Sequence, residues 1–244
     1  MVSLALMLLE KQAWLEKLVV IMDPCINPDG RDRYVNWYNQ VKSTPFDIDP
    51  KANEHFEDWP GGRYNHYYHD LNRDWAWLSQ VESQQRLPQY LSWMPQIHVD
   101  FHEQGVDSPY YFAPAVEPYH EILTDFQRDF QVTIAKNHAK YFDKEGWLYF
   151  TDDVFDLLYP GYGDTYPMFN GAIGMTYEQG GSGRAGLGIL NSVGDVLSLK
   201  DRIAHHYTSG LSTVEVAYNN VQKPNQEFQA YHARKNNTNK ADVL

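Results

Sequence analysis

Apolar and polar positions alternate along this chain in segments of differing period, and the periods define the elements. Leu4, Leu8, Leu15 and Leu18 recur near one face of a helical pattern broken by charges, so the chain opens inside an amphipathic helix. The run Leu18 to Met22 is short, wholly apolar and bounded by Lys17 and Asp23-Pro24, which predicts a buried strand. It leads into Asn27-Pro28-Asp29-Gly30, a dense turn signal. Residues 31–70 show little period and read as one long irregular excursion, a length usually functional or disordered. Residues 74–93 are helix-like, with Trp77, Leu78 and Val81 in step until Pro88.

Ile97 to His102 alternates with period two: Ile97, Val99 and Phe101 take one face, His98, Asp100 and His102 the other. Pro118 is expected to open a long helix with Ile122, Phe126, Phe130 and Ile134 at four-residue steps. Leu157 to Tyr166 (LLYPGYGDTY) reads as a loop. Ile173, Met175 and Tyr177 alternate with Gly174, Thr176 and Glu178 in another strand, and GGSGRAG follows as a loop. A last long helix carries Val196, Leu199, Ile203, Tyr207 and Val214, and the polar residues after Val221 read as a linker or frayed end. Strands alternating with helices predict an α/β architecture, with residues 1–221 as one domain and 222–244 as a polar tail.

Composition narrows the function classes. The chain has 244 residues, ample for one core. Its net charge of −12 argues against a nucleic-acid footprint, which requires a basic face. No apolar run reaches the ~20 residues of a membrane span, and no signal peptide is evident. Cys25 is the single cysteine, which excludes an intramolecular disulfide framework and a multi-cysteine metal cage.

Candidate chemistry lies at predicted strand ends and the loops near them, where ligands sit in open α/β sheets. His102 and Glu178 each end an alternating strand on its polar face. An imidazole there could bind a metal with Asp100 orienting it, or be an ordinary polar edge residue. A partly desolvated Glu178 could serve as a general base, or be a solvated acid. Arg73, in DLNRDW, suits bidentate recognition of a carboxylate, or an ordinary ion pair with Asp70 or Asp74. Three patterns carry less. Gly181 to Gly186 fits G-x-G-x-x-G, with Asp201 twenty residues on, but no helix opens there. His66 and His69 sit in a Tyr-rich loop. Asp100, Glu103 and Glu178 have no spacing that favours a glycosidase pair.

Taken together, NPDG (Asn27 to Gly30), DLNRDW (Asp70 to Trp75), VDFHE (Val99 to Glu103) and TYEQGG (Thr176 to Gly181) resemble, in order and separation, the zinc carboxypeptidase family of carboxypeptidase A-like metallopeptidases. The resemblance covers residues 1–220. It implies a three-layer α/β/α fold with a central mixed sheet, and a metallocarboxypeptidase acting on the C-terminus of a peptide or protein. It implies zinc held in part by His102, Glu178 as general base and acid, and Asn72 and Arg73 as carboxylate and carbonyl binders. Asp70 would be an acid behind the metal, and Tyr159 or Tyr162 the residue capping the substrate. An additional substrate-binding arginine would be Arg31, Arg33 or Arg63.

The family's H-x-x-E ligand pair is missing: none of the ten histidines has a glutamate three residues on. The resemblance therefore implies a chain lacking its first strands and two of three metal ligands, from a full-length protein that is secreted or periplasmic. It leaves two alternatives: a catalytically inactive peptide- or carboxylate-binding remnant, or a deacylase or amidohydrolase acting on a small acylated amino acid.

Overall fold

The computed structural model describes residues 2–237. Two short helices, α1 (Val2–Leu9) and α2 (Gln12–Leu15), replace the single expected opening helix, and α1 buries Leu4 and Leu8. Leu18 to Met22 has no regular secondary structure and pairs with no strand among the described residues, a departure from the predicted buried strand; Val19 is 73% exposed. Helix α3 (Pro28–Val41) occupies the first part of the expected irregular excursion. Asn27 caps it, its Oδ1 accepting from Gly30 N at 3.0 Å, with Pro28 pre-set for the first turn. Residues 42–80 are irregular apart from 3₁₀ turns at Asn53–His55 and Leu71–Arg73.

Helix α4 (Val81–Trp93) retains Pro88 in its interior. Strand β1 (Ile97–Gln104) matches its predicted start and alternation, and β2 (Tyr110–Phe112) follows. Helix α5 (Asp125–Glu145) begins after Pro118 because Thr124 and Gln127 form a capping box, and Gly146 ends it at φ 70°. Strand β3 (Tyr149–Phe150), the short helix α6 (Thr165–Met168) and strand β4 (Ile173–Gly180) come next. The hairpin β5 (Gly188–Leu190) and β6 (Val196–Ser198) leads into α7 (Leu199–Asn219), capped by Ser198 and Asp201. The polar residues after Val221 form helix α8 (Gln222–Asn237), with Tyr231 buried and its OH donating to Phe169 O at 2.8 Å.

The main sheet runs β1-β4-β2-β3, with β1 parallel to β4, β2 antiparallel to β4 and β2 parallel to β3. Helices α5 and α7 cover one face, where Phe130, Ile134, Phe142 and Val216 meet Phe112, Met175 and Tyr177. Helices α4 and α6 contribute to the other, where Tyr90 packs on His98 and α6 packs against β4. The result is a three-layer α/β/α architecture around a mixed sheet. All eight residues of β4 are buried, including the polar set Gly174, Thr176 and Glu178. A strand with neighbours on both edges and helices on both faces leaves no solvated side. Among the described residues, no helix is long and apolar enough to cross a membrane.

Candidate functional site

The register of β1 and β4 brings the first two site residues together. His102 lies directly opposite Glu178 on the face shared by Asp100 and Thr176. Neighbouring strands are about 4.8 Å apart, so the two side chains rise side by side. His102 Nε2 lies 2.7 Å from Asp100 Oδ2 and 3.0 Å from Asn72 Nδ2. Asn72 Oδ1 accepts from Gly163 N at 2.6 Å, which turns its amide nitrogen toward the imidazole. An ionised carboxylate can only accept, so Nε2–H donates to Asp100, and the Asn72 amide nitrogen faces the same ring nitrogen without receiving its proton.

Electrostatics follow from burial and this pairing. Burial opposes a charge on His102, but the field and hydrogen bond of Asp100, with help from Glu178, outweigh it and hold its pKa up at about 9. Burial pushes Glu178 up to about 7, against the pull of His102. Its Oε2 is buried and has no hydrogen-bond partner among the described residues, which leaves an acceptor facing the site. Beneath the site, burial raises Asp164 to about 6, although Thr176 and Thr165 donate to it at 2.9 and 3.0 Å. Sequence reasoning missed this acid; its only signal is a lone Asp in a Gly/Tyr loop. Gly163 is required beside it, since a Cβ there would meet Asp100 Oδ2 at 2.2 Å.

The cationic side of the site is built on the 3₁₀ turn Leu71–Arg73. Asp70 caps it, with Oδ1 accepting from Asn72 N at 2.9 Å. Its other oxygen, Oδ2, meets Arg63 Nε at 3.0 Å and Arg73 Nη1 at 3.8 Å. Both arginine side chains stay about half exposed, 46% and 49%. Arg73 stacks over the Tyr162 ring at 4.5 Å, Tyr162 meets Tyr159 edge-on at 4.9 Å, and Tyr159 OH accepts from Trp77 Nε1 at 2.6 Å. Asn72, Arg73, Tyr159, Tyr162, His102 and Glu178 therefore belong to one connected surface, with Asp70 beneath its arginines.

Of the three arginine candidates, Arg63 joins the site. Arg31 pairs with Asp32 in an exposed ion pair, and Arg33 donates to the carbonyls of Gly61, Tyr64 and Asn65. The weaker patterns find structural uses. Asp201 is the third-position partner of Ser198 in the capping box of α7, and Gly181 to Gly186 is a loop leading to β5. Glu103 points to the opposite face and pairs with Arg202 at 2.7 Å. His66 and His69 lie on an exposed loop.

The expectation of zinc is overturned. Among the described residues, no group of three or more His, Cys, Asp or Glu side chains could hold a metal ion. His102 is the one member of the expected ligand set in the chain, and Asp100 engages its Nε2. Asp70, expected behind the metal, instead gathers two arginines. Compared with known proteins, the chain matches no family model, no curated sequence and no solved structure.

Proposed function

We propose that this chain is a carboxylate-binding module with a carboxypeptidase A-like frame, which holds the C-terminus of a peptide rather than cleaving it. The observation that carries the reading is the pair of half-exposed guanidinium groups, Arg63 and Arg73, gathered on one Asp70 oxygen beside the Asn72 amide. Guanidinium groups bind carboxylates through paired, charge-assisted hydrogen bonds, and two of them outweigh the single Asp70 they share. Tyr162, Tyr159 and Trp77 extend from Arg73 as an aromatic ledge for the residue that bears the carboxylate. The resemblance of DLNRDW to the family's carboxylate-binding string points the same way.

Titration calorimetry tests this with a blocked dipeptide bearing a free C-terminal carboxylate and with its C-terminal amide. The acid should bind, and the amide should bind about tenfold more weakly or worse, the value of one lost charge-assisted pair. Arg73→Gln should weaken the acid by a similar factor. Equal affinity for acid and amide would overturn the reading.

One observation favours a second reading. Glu178 is held near neutrality with a free oxygen, as a general base requires. Release of free amine from an acylated amino acid, lost in Glu178→Gln, would replace the binding module with a deacylase or amidohydrolase.

A further inference from the structure

The glycine-rich loop that follows β4 has no part in the site above, yet it forms one wall of a second cleft. Ser182, Gly183 and Arg184 of that loop, with His55, Phe56 and Glu57 from the irregular segment before the 3₁₀ turn at Leu71, line a cavity of about 400 Å³, in the range of small-molecule sites. The cleft lies past the C-terminal end of β4, a strand with neighbours on both edges. Its walls are tied together. His55 is fully buried, with ring nitrogens 2.5 Å from Arg184 O and 2.8 Å from Asp47 O, and Arg184 Nε donates back to His55 O at 3.3 Å.

Glu57 has no ion-pair partner among the described residues. The field of Arg33 reaches it, but Arg33 donates instead to the carbonyls of Gly61, Tyr64 and Asn65. Glu57 Oε1 is buried without a hydrogen-bond partner among the described residues, and Oε2 comes close to the opposite wall, where a Cβ on Gly183 would lie 3.2 Å from it. Burial raises the carboxyl's pKa, against the pull of the Gly62 N–H and of Arg33. A half-buried carboxylate without a counter-ion is costly, and an incoming cation offsets that cost.

Arg184 presents the opposite charge. It is exposed and makes no ion pair among the described residues. Its Nε and Nη2 reach the carbonyls of His55 and Pro50 at 3.3 Å, and Nη1 donates to nothing among the described residues. The guanidinium carbon lies 5.3 Å from the centre of the Phe56 ring, and Phe56 is half-exposed. A cation alone in this cleft would meet Arg184, and an anion alone would meet Glu57. Two opposite charges that line one cleft without pairing with each other complement a ligand that carries both.

We propose that this cleft is a second binding site, which takes a free α-amino acid with its ammonium group on Glu57, its carboxylate on Arg184 and an apolar side chain along Phe56. The site is separate from the Arg63 and Arg73 pair and does not depend on what that pair binds.

Calorimetric titration of the full chain with leucine, N-acetyl-leucine and leucine amide tests this, in an Arg73→Gln background that weakens the first carboxylate site. Leucine should bind, and the two blocked probes should bind about tenfold more weakly or worse, each having lost one charged contact. Glu57→Gln should weaken leucine by a similar factor and leave N-acetyl-leucine unchanged. Arg184→Gln should weaken leucine and leave the amide unchanged. Neither side chain is fully buried, so the circular dichroism of both variants should match the parent. Nuclear magnetic resonance should locate leucine by shifts of the Gly61 and Gly183 amides, which border Glu57. In the chain with Arg73 restored, Glu57→Gln should leave the acid-over-amide preference for the blocked dipeptide intact, so the two sites stand or fall separately. Failure of leucine to bind at millimolar concentration, equal affinity for all three probes, or leucine binding insensitive to both variants would overturn the proposal.

Discussion

His138 of α5 is fully buried between Phe112 and Tyr177, whose rings meet it edge-on at 4.9 and 5.0 Å. Its Nδ1 pairs with Ser212 Oγ at 2.7 Å, and burial drives its pKa down to about 3. In the unfolded chain an ordinary histidine titrates near 6.5. Above that pH the ring is neutral in both states and does not affect stability. Below it the unfolded chain takes up a proton that the folded chain refuses until about pH 3, so stability is lost as pH falls through this window. His138→Phe removes that linkage. In urea unfolding, wild type should lose about 1.4 kcal/mol relative to the variant for each pH unit between 6 and 4. A constant difference across that range would show that the ring is not held neutral. At this scale the sequence was informative for His102 and Glu178 because alternation put each on the polar face of its strand, although both strands run two residues beyond the expected end. It was silent on Arg63 over Arg31 and Arg33, since only the fold shows which guanidinium reaches Asp70.

Elements with a strong local period were legible. β1, β4 and α5 lie close to where apolar spacing placed them, because each presents an apolar set to one core. α7 also lies near its expected place, but its buried face is Arg202, Ser209, Gly210, Ser212, Thr213 and Val216, while Leu199 and Ile203 are exposed and Val196 belongs to β6. Element ends were less legible, since caps rather than periodicity decide them. Pro118 was a plausible start for α5, but the Thr124–Gln127 capping box sets it. Thr124→Ala should cost about 1 kcal/mol in thermal or urea unfolding, the usual value of such a cap. A change within experimental error would place the start of α5 elsewhere. α3 was hidden because Tyr, Asn and Arg dominate it and only Gly30 and Tyr38 are buried, too few for a readable face. Leu18 to Met22 misled in the opposite sense. Its composition is that of a strand, but strand formation needs a neighbour that composition does not supply.

For the whole molecule, the layered architecture followed from alternating strands and helices, while the sheet order did not, because pairing partners far apart in sequence leave no local trace. The polar tail is the clearest case. Helix α8 has little apolar content, yet Tyr231 is 9% exposed and its ring lies against Gly171. Tyr231→Ala should therefore lower unfolding stability by about 3 kcal/mol, as for other buried aromatic truncations. Residues acting only as a linker would show almost no change.

The parallel pairing of β1 with β4 also sets when the site can exist during folding. β2, α5, β3 and α6 all lie between the two strands in sequence, so a large loop must close before His102 faces Glu178. Helix α5, stabilised by local bonds and its own cap, needs no such closure. The binding surface is thus among the last features a refolding chain acquires, and its presence certifies that the sheet has been completed.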